Sequence, residues 1–533
     1  MNGADVIGRA LASAGATHAF GIPGGEVLAL IEGLDRSGIS FVLTKHENAA
    51  GFMAEGLWHA TGAPGVLIAT LGPGVANAVN VVANAMQDRV PLIFLTGCVD
   101  EVDAHTYTHQ VFDHQAMLRP IVKASYRAPE GAVSVIIRKA IELALEGQPG
   151  PVHVDVPISV AEGAERIRTS GSFRQSVSHV SADTDLMTTC RDRLAASQRP
   201  LAIVGVDALN QGAAADVAAF CKRQSIPLIT TYKAKGILAE THSLALGGAG
   251  LSPKADQLLM PLIRASDCIL LLGYDPIEMR IGWREPWSEE QCVIEIADVL
   301  RTHGMHDAVF TLRGSVAPTL HLLNEGLEPI DRWPGGEIDS TRRQLAELFK
   351  PKGWGPAAVF ATLRDVMPEN TVITADSGAH RILLSHVWQC SAPRQMLQST
   401  ALCTMACAVP LAMGYRIGNA DVPVVAFVGD AGLEMGLGEL ATLRDLKVPL
   451  IITVLVDESL ALIEMKQRGS QRANLGVDFG GTNFPAVASA LGGTGVWIDN
   501  EDTLRNEAKL ALQRDGFTVL ACRIDRHAYD GTF

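Results

Sequence analysis

The sequence predicts an α/β protein of three domains, each a doubly wound parallel sheet. Three observations carry this. Short apolar runs alternate with Ala-rich segments of helical spacing, the pattern of strand–helix–strand units. Several runs end on small-residue turns, among them Pro23-Gly24-Gly25, Gly72-Pro73-Gly74 and Gly429-Asp430-Ala431-Gly432. Polar stretches interrupt the alternation twice, and 533 residues are enough for three domains of roughly 150–200 residues.

Residues 1–165 carry predicted strands at His18–Gly21, Phe41–Leu43, Gly65–Thr70, Pro91–Thr96 and Pro151–Val156, with helices at Asp5–Ala14, Ala49–Thr61 and Ala76–Met86. Gly163 to Ser181, rich in Ser and Arg, is a predicted linker. Residues 182–328 follow, with strands at Leu201–Val204, Pro227–Thr230, Cys268–Leu272 and Cys292–Ile296 and a helix at Ala213–Gln224. Pro329 to Gly336 is a second predicted linker. Residues 350–533 carry strands at Thr371–Thr374, Val424–Val428, Leu450–Val456, Gly495–Ile498 and Phe517–Arg523. The outer domains share length and strand rhythm, as a duplication would leave.

Composition narrows the function. Net charge is −14, aromatics are 5% and no basic run occurs, which argues against nucleic acid as a partner. Nine cysteines lack paired or CxxC spacing and read as thiols in a reducing compartment. The N-terminus has no signal-like region, and no run of ~20 apolar residues occurs, so a cytoplasmic protein without membrane contact is expected.

The chemistry concentrates between Phe427 and Ser459. The apolar run Val424–Val428 reads as a buried strand. After the glycine turn comes one predicted helix, offering Met435, Leu440 and Leu443 to a single face and ending near Lys447 and Pro449. A second apolar run, Leu450–Val456, ends in Asp457. In an open parallel sheet the carboxyl ends of such strands face one crevice, where ligands bind. N–H groups at a helix start suit phosphate. Asp430 and Asp457 suit Mg²⁺, which takes one or two carboxylates along with phosphate oxygens.

This stretch resembles the thiamine-diphosphate motif, Gly-Asp-Gly followed after a helix by Asn-Asn. Met435, Glu439-Leu440-Ala441-Thr442 and Pro449 fall where the acetohydroxyacid (acetolactate) synthase group of that family carries Met, Glu-Leu-Ala-Thr and Leu-Pro. Pro393-Arg394-Gln395, Leu402, Thr404-Met405, Pro410 and Gly414 resemble the segment before the motif, and Asp376-x-Gly378-x-His380 its Asp-x-Gly-x-His turn. Near the N-terminus, Lys45-His46-Glu47, Ala54-Glu55-Gly56 and Thr61-Gly62 resemble the group's glutamate segment. Leu71-Gly72-Pro73-Gly74 and Asn77-Ala78-Val79 follow in the expected order.

The resemblance implies pyrimidine-binding, middle and diphosphate-binding domains, with thiamine diphosphate and Mg²⁺ (or Ca²⁺) as cofactors. It implies that Glu47 bonds the aminopyrimidine and drives the proton exchange that activates the thiazolium. Cys403, where the group usually has Gly, would offer its carbonyl to the 4′-amine, and Met405 would lie under the bend between the rings. His380, Gly429, Asp430, Ala431 and Gly432 would contact the diphosphate. Asp430, Asp457 and the Ser459 carbonyl would hold the metal. Pro23, Gly72 and Asn77 are further expected cofactor contacts. Gly24, Gly25, His109, Gln110 and His114 are expected on the substrate side, where histidines could bond or protonate an acyl oxygen.

Several positions depart from the pattern. Ala431 replaces a glycine, which is harmless unless its φ is positive. Asp457 replaces a neutral Asn, so the site gains affinity for a divalent cation and repulsion towards the diphosphate. Ala406, Cys407 and Ala408 replace a Gly-rich turn and tighten the pocket. In the middle domain, Val204-Gly205-Val206-Asp207-Ala208 lacks a dinucleotide turn and Gly273-Tyr274-Asp275-Pro276 lacks the group's Arg-Phe-Asp-Asp-Arg, which speaks against FAD. The implied function is a carboligase acting on a 2-oxo acid such as pyruvate and a carbonyl acceptor. The alternatives are a 2-oxo acid decarboxylase, an aldehyde lyase, or a non-catalytic cofactor-binding homologue. The resemblance also implies a homodimer or homotetramer with sites at the subunit interface.

Overall fold

The computed structural model describes residues 1–165, 179–180, 184–299 and 304–533, so most of the predicted linker Gly163 to Ser181 lies outside the described residues. The first sheet comprises β1 (His18–Ile22), β2 (Ser40–Leu43), β3 (Gly65–Ala69), β4 (Leu92–Cys98), β5 (Ala124–Arg127) and β6 (Pro151–Pro157), ordered β2-β1-β3-β4-β6-β5. The middle sheet comprises β7 (Pro200–Val204), β8 (Leu228–Thr230), β9 (Ala245–Gly248), β10 (Cys268–Leu272), β11 (Cys292–Ala297) and β12 (Phe310–Arg313), ordered β12-β11-β10-β7-β8-β9. The third comprises β13 (Val372–Ala375), β14 (Met396–Gln398), β15 (Val424–Gly429), β16 (Ile451–Val456), β17 (Thr494–Ile498) and β18 (Thr518–Arg523), ordered β14-β13-β15-β16-β18-β17. Neighbouring strands pair in parallel in each sheet. Counted within its own sheet, the third repeats the order of the first, 2-1-3-4-6-5, while the middle one reads 3-2-1-4-5-6.

The central strands β3, β4, β7, β10 and β16 are buried along their whole length, because helices cover both faces. That burial explains continuous apolar runs in place of alternation. The strands β5, β9, β12 and β14, absent from the sequence-based expectation, are all outermost in their sheets. The region after β15 also differs from expectation. It forms two helices, Asp430–Met435 and Glu439–Leu446, broken at Gly436-Leu437-Gly438. Leu440 and Leu443 are buried, whereas Met435 is 67% exposed and shares no face with them.

The outer domains share one hydrophobic core, centred on helices Glu47–Thr61 and Ala408–Gly418. Small residues allow the backbones to meet: a Cβ on Gly56 would lie 2.1 Å from the Leu411 carbonyl oxygen, and one on Gly414 would lie 1.9 Å from that of Met53. Pro329 to Gly336 is no free linker. Trp333 is buried and its indole N–H donates to the Pro200 carbonyl at 2.7 Å. Arg332 is buried beside it, bonded to the carbonyls of Leu194 and Gln224. Among the described residues no helix is long and apolar enough to cross a membrane. All nine cysteines are free, and Cys403 is the exposed one.

Candidate active site

At the carboxyl ends of β13, β15 and β16 the third sheet opens into a cavity of about 140 Å³. Its lining includes Gly378, His380, Met405, Gly429, Asp430, Ala431, Gly432, Asp457 and Ser459. Asp430 starts the short helix after β15. Its Oδ1 accepts from the Ala431 N–H at 2.8 Å and its Oδ2 from the N–H groups of Asp457 (3.1 Å) and Glu458 (2.7 Å). One carboxylate thus ties two strand ends together. Asp457 accepts from the Ser459 N–H at 3.1 Å. Burial and the neighbouring Asp430 charge push the Asp457 carboxyl up to about 8, and burial also raises Asp430. Two carboxylates, Asp430 buried and Asp457 half-buried, that oppose each other's ionisation form a donor set short of positive charge, which suits a divalent cation. Ala431 lies inside the helix with no left-handed backbone.

Asp376 was not singled out as a site residue, yet it organises this cavity. Its Oδ1 bonds His380 Nε2 at 2.9 Å and its Oδ2 accepts the Ala406 N–H at 2.9 Å. A Cβ on Gly432 would lie 2.1 Å from Asp376 Oδ2, so this glycine is required for close approach. The turn bearing Cys403 and Met405 takes positive φ at Cys403 (57°) and Ala406 (62°), the positions where glycine would relax it. Arg381, buried, braces the turn through the Ser399 carbonyl (2.6 Å) and Cys403 Sγ (3.2 Å). Tyr529, also missed, closes the cavity floor. Nothing local in the sequence marks it, since it follows the last strand.

A second cluster sits at the carboxyl edge of the first sheet. Glu47 is buried at the start of its helix, and Asn77 Nδ2 donates to its Oε2 at 3.0 Å. A Cβ on Gly74 would lie 3.3 Å from Glu47 Oε1. Gly72, at φ +70°, lies against the Gln110 backbone, where a Cβ would come within 2.2 Å of the carbonyl oxygen. Gly24 abuts Thr70, whose hydroxyl donates to Glu26 at 2.6 Å; Gly25, beside it, faces open space, and Pro23 precedes them. His109 is exposed. His114 is buried, with Nδ1 2.8 Å from Asp155 and Nε2 accepting the Gly72 N–H at 3.1 Å, so both nitrogens are engaged within the protein.

The two clusters do not meet in one chain. The lining of the third-domain cavity comes wholly from Ser377 to Tyr529. Beside the shared hydrophobic core, the domains are joined by one polar face of helix Pro73–Gln87 and its C-terminal cap, Asp88. Asn80 meets Thr404 at 3.1 Å, Asn84 accepts from Ser399 at 2.6 Å, and Asp88 accepts the N–H groups of Thr400 and Ala401. The turn bearing Met405 is therefore seated on the first domain of its own chain. Glu439 adds a second tie by capping the N–H groups of Lys45 and His46.

Comparison with known proteins gives matches to three domains described as thiamine pyrophosphate enzyme: the N-terminal TPP binding domain over residues 1–117, the central domain over 187–323, and the C-terminal TPP binding domain over 376–522. Relatives align over nearly their full length. They include the acetolactate synthase isozyme 1 large subunit of Escherichia coli (27% identical, covering 98% of this chain and 94% of that one) and an acetolactate synthase of Bacillus subtilis (25%, 98% and 93%). A probable 2-ketoarginine decarboxylase of Pseudomonas aeruginosa is 28% identical over 97% of this chain and 92% of its own.

Proposed function

The chain belongs to the thiamine pyrophosphate enzyme family, and from that premise we propose that it is an acetolactate-synthase-like carboligase acting on a 2-oxo acid. The observation that carries this reading is the pairing of Asp430 with Asp457 in the third-domain cavity, on a chain that also buries Glu47 against Asn77. The residues fit the cofactor. Opposed carboxylates suit a metal-bound diphosphate, and Gly378, Gly429 and Gly432 leave room where a Cβ would meet His380 or Asp376.

Asp430, Asp457 and Ser459 would hold Mg²⁺ or Ca²⁺ against the diphosphate. Asp376, bonded to His380 and to the Ala406 N–H, would hold His380 for that contact and fixes the turn that carries Met405. Glu47, held by Asn77, would pass a proton to and from the pyrimidine. When bound, the cofactor supplies a nucleophilic carbon for the 2-oxo acid and a ring that takes up the electron pair left by departing CO₂. Gln110 and the Gly24-Gly25 turn stand at the same sheet edge as Glu47, where they would meet the substrate. At the crevice of the middle sheet, Asp207 and Asp275 face Gln148, and Arg89 pairs with Asp275 at 2.8 Å. Gly205 packs directly on Gly273 there. An acidic crevice filled by the first domain supports a middle domain without FAD.

A cavity of about 140 Å³ is smaller than the ~300 Å³ at which whole ligands are enclosed, so the rest of the cofactor needs a further surface. Ile463 at the cavity, Met435 and Leu475 are 43%, 67% and 73% exposed, as an unmade interface would leave them. A second protomer presenting Glu47 to this cavity supplies that surface, giving a homodimer or a homotetramer built as a dimer of dimers. The test is product analysis with cofactor, Mg²⁺, pyruvate and a panel of aldehydes and 2-oxo acids. Hydroxyketone or acetolactate supports the ligase. Aldehyde and CO₂ alone would replace it with the decarboxylase that one relative's name describes.

A further inference from the structure

We propose that His114 is a positioning residue that sets Glu47 in place through the backbone of Gly72. The proposal rests on the reading of Glu47 given above. It begins with a buried polar network. Asp155 on β6 lies opposite Thr96 on β4, and His153, two residues earlier on the same face, lies opposite Ser125 on β5. Thr96 donates its hydroxyl proton to Asp155 Oδ1 at 2.6 Å. His114 Nδ1 meets the same oxygen at 2.8 Å.

The proton positions follow from the partners. A backbone N–H can only donate, so His114 Nε2, which faces the Gly72 N–H at 3.1 Å, is bare and Nδ1 carries the proton to Asp155. The single Thr96 proton is used on Asp155, so at 2.8 Å Thr96 accepts from His153 Nε2, and His153 Nδ1 accepts from Ser125 at 2.7 Å. His114, His153 and Asp155 stand close enough to suggest a metal site. The proton count argues otherwise. A metal at His114 Nδ1 would move the proton to Nε2 and set it against the Gly72 N–H. The network is complete with protein groups alone.

The far end of the network is Glu47. Gly72 is the N-cap of helix Pro73–Gln87 and, being glycine, has no side chain with which to cap it. Its φ of +70° and the Gln110 backbone pressed against it leave the N–H as the one handle on this turn. His114 grips that handle. The first two turns of the helix then carry Gly74, packed against Glu47 Oε1, and Asn77, bonded to Oε2. Asp155, which fixes the imidazole, is thus linked to the place of the Glu47 carboxylate through one ring and one turn. Partners of this kind orient a reacting group without touching substrate.

Two variants separate the role from plain packing. In His114→Asn the amide nitrogen can replace Nδ1 on Asp155, but nothing reaches Gly72. In His114→Gln the amide oxygen reaches the Nε2 position and can accept the Gly72 N–H. Hydrogen exchange of the 71–77 peptide is measured by mass spectrometry on the full-length protein, with and without thiamine diphosphate and Mg²⁺, beside steady-state turnover. We expect His114→Asn to speed that exchange and to lower kcat by about tenfold with KM changed less than about threefold, and His114→Gln to restore both to within about threefold of wild type. Unchanged exchange in His114→Asn, or His114→Gln damaged as deeply as His114→Asn, would overturn the proposal. Faster exchange with undiminished turnover in His114→Asn would sink this inference alone. Undiminished turnover in Glu47→Gln would instead sink the functional reading beneath it.

Discussion

At the scale of single residues, the peculiarity of this site is Asp457. Burial and Asp430 raise its carboxyl to about 8. The alternative amide would remove one of two opposed charges while keeping an oxygen for a metal. Asp457→Asn is therefore expected to retain thiamine diphosphate, with the ranking of Mg²⁺, Mn²⁺ and Ca²⁺ altered, as read by calorimetric titration of cofactor in each metal. Complete loss of cofactor binding would mean that the second negative charge is required. Asp457, Asp430 and Glu47 were legible in the sequence because each sits in a short segment whose neighbours carry the pattern. Asp376 was legible only as part of a turn. Its double grip on His380 and the Ala406 N–H depends on a turn 30 residues further on. Tyr529 and Arg381 had no local signal, since their place at the cavity is decided by how the sheet closes.

At the scale of elements, every strand buried on two faces at a sheet centre was legible as an apolar run, whereas of the six edge strands β2 and β17 were expected and β5, β9, β12 and β14 were not. β5 and β12 bury little and tolerate polar residues, while β9 and β14 are buried but only four and three residues long, too short to write a period. The single helix expected after β15 broke because Gly436 and Gly438 flank one residue, and glycine in a helix costs about 1 kcal/mol relative to alanine. The helix pair Glu47–Thr61 and Ala408–Gly418 adds a different case: the first was expected as Ala49–Thr61, the second was not, and nothing in the sequence announced their contact. Gly414 lies where a Cβ would be 1.9 Å from the Met53 carbonyl oxygen, so the helices must separate to admit one methyl group. Gly414→Ala is expected to cost about 1–3 kcal/mol through overpacking, seen as a lower thermal midpoint, with Gly469→Ala as the exposed helical control because nothing lies near its Cβ. Equal midpoints for the two variants would show that the interface yields easily.

At the scale of the whole molecule, a buried charge cluster joins all three domains: Glu55 and Asp88 from the first, Lys233 and Glu278 from the second, and the Thr400 turn from the third, with Lys233 3.1 Å from Asp88. Burial pushes Glu55 up to about 8 and Glu278 up to about 7. Burial alone would lower Lys233, but the Asp88, Glu55 and Glu278 charges raise it. A carboxyl raised in the folded state binds more protons there than in the unfolded chain. Its stabilising share is therefore complete below about 4.5 and is lost as pH rises through 7 to 8. The thermal midpoint should fall between pH 6 and about 8.5, and Glu55→Gln should flatten that slope; a slope identical to wild type would place the titration elsewhere. The second whole-molecule feature is the separation of Glu47 from the Asp430 cavity. If one protomer lends Glu47 to its partner's cavity, Glu47→Ala and Asp430→Ala damage different halves of the same site. Co-expressed and randomly assorted, half of the dimers are mixed, and each mixed dimer holds one doubly damaged and one intact site. Two inactive variants should then yield about a quarter of wild-type turnover per active-site pair, an outcome that follows from two-fold symmetry. Were each protomer to build its own site, every site in the mixture would carry one lesion and turnover would stay at the level of the separate variants. Tagging the two variants differently and isolating the mixed dimer sharpens the measurement to half of wild-type turnover, and no change in folding of either variant can imitate that recovery.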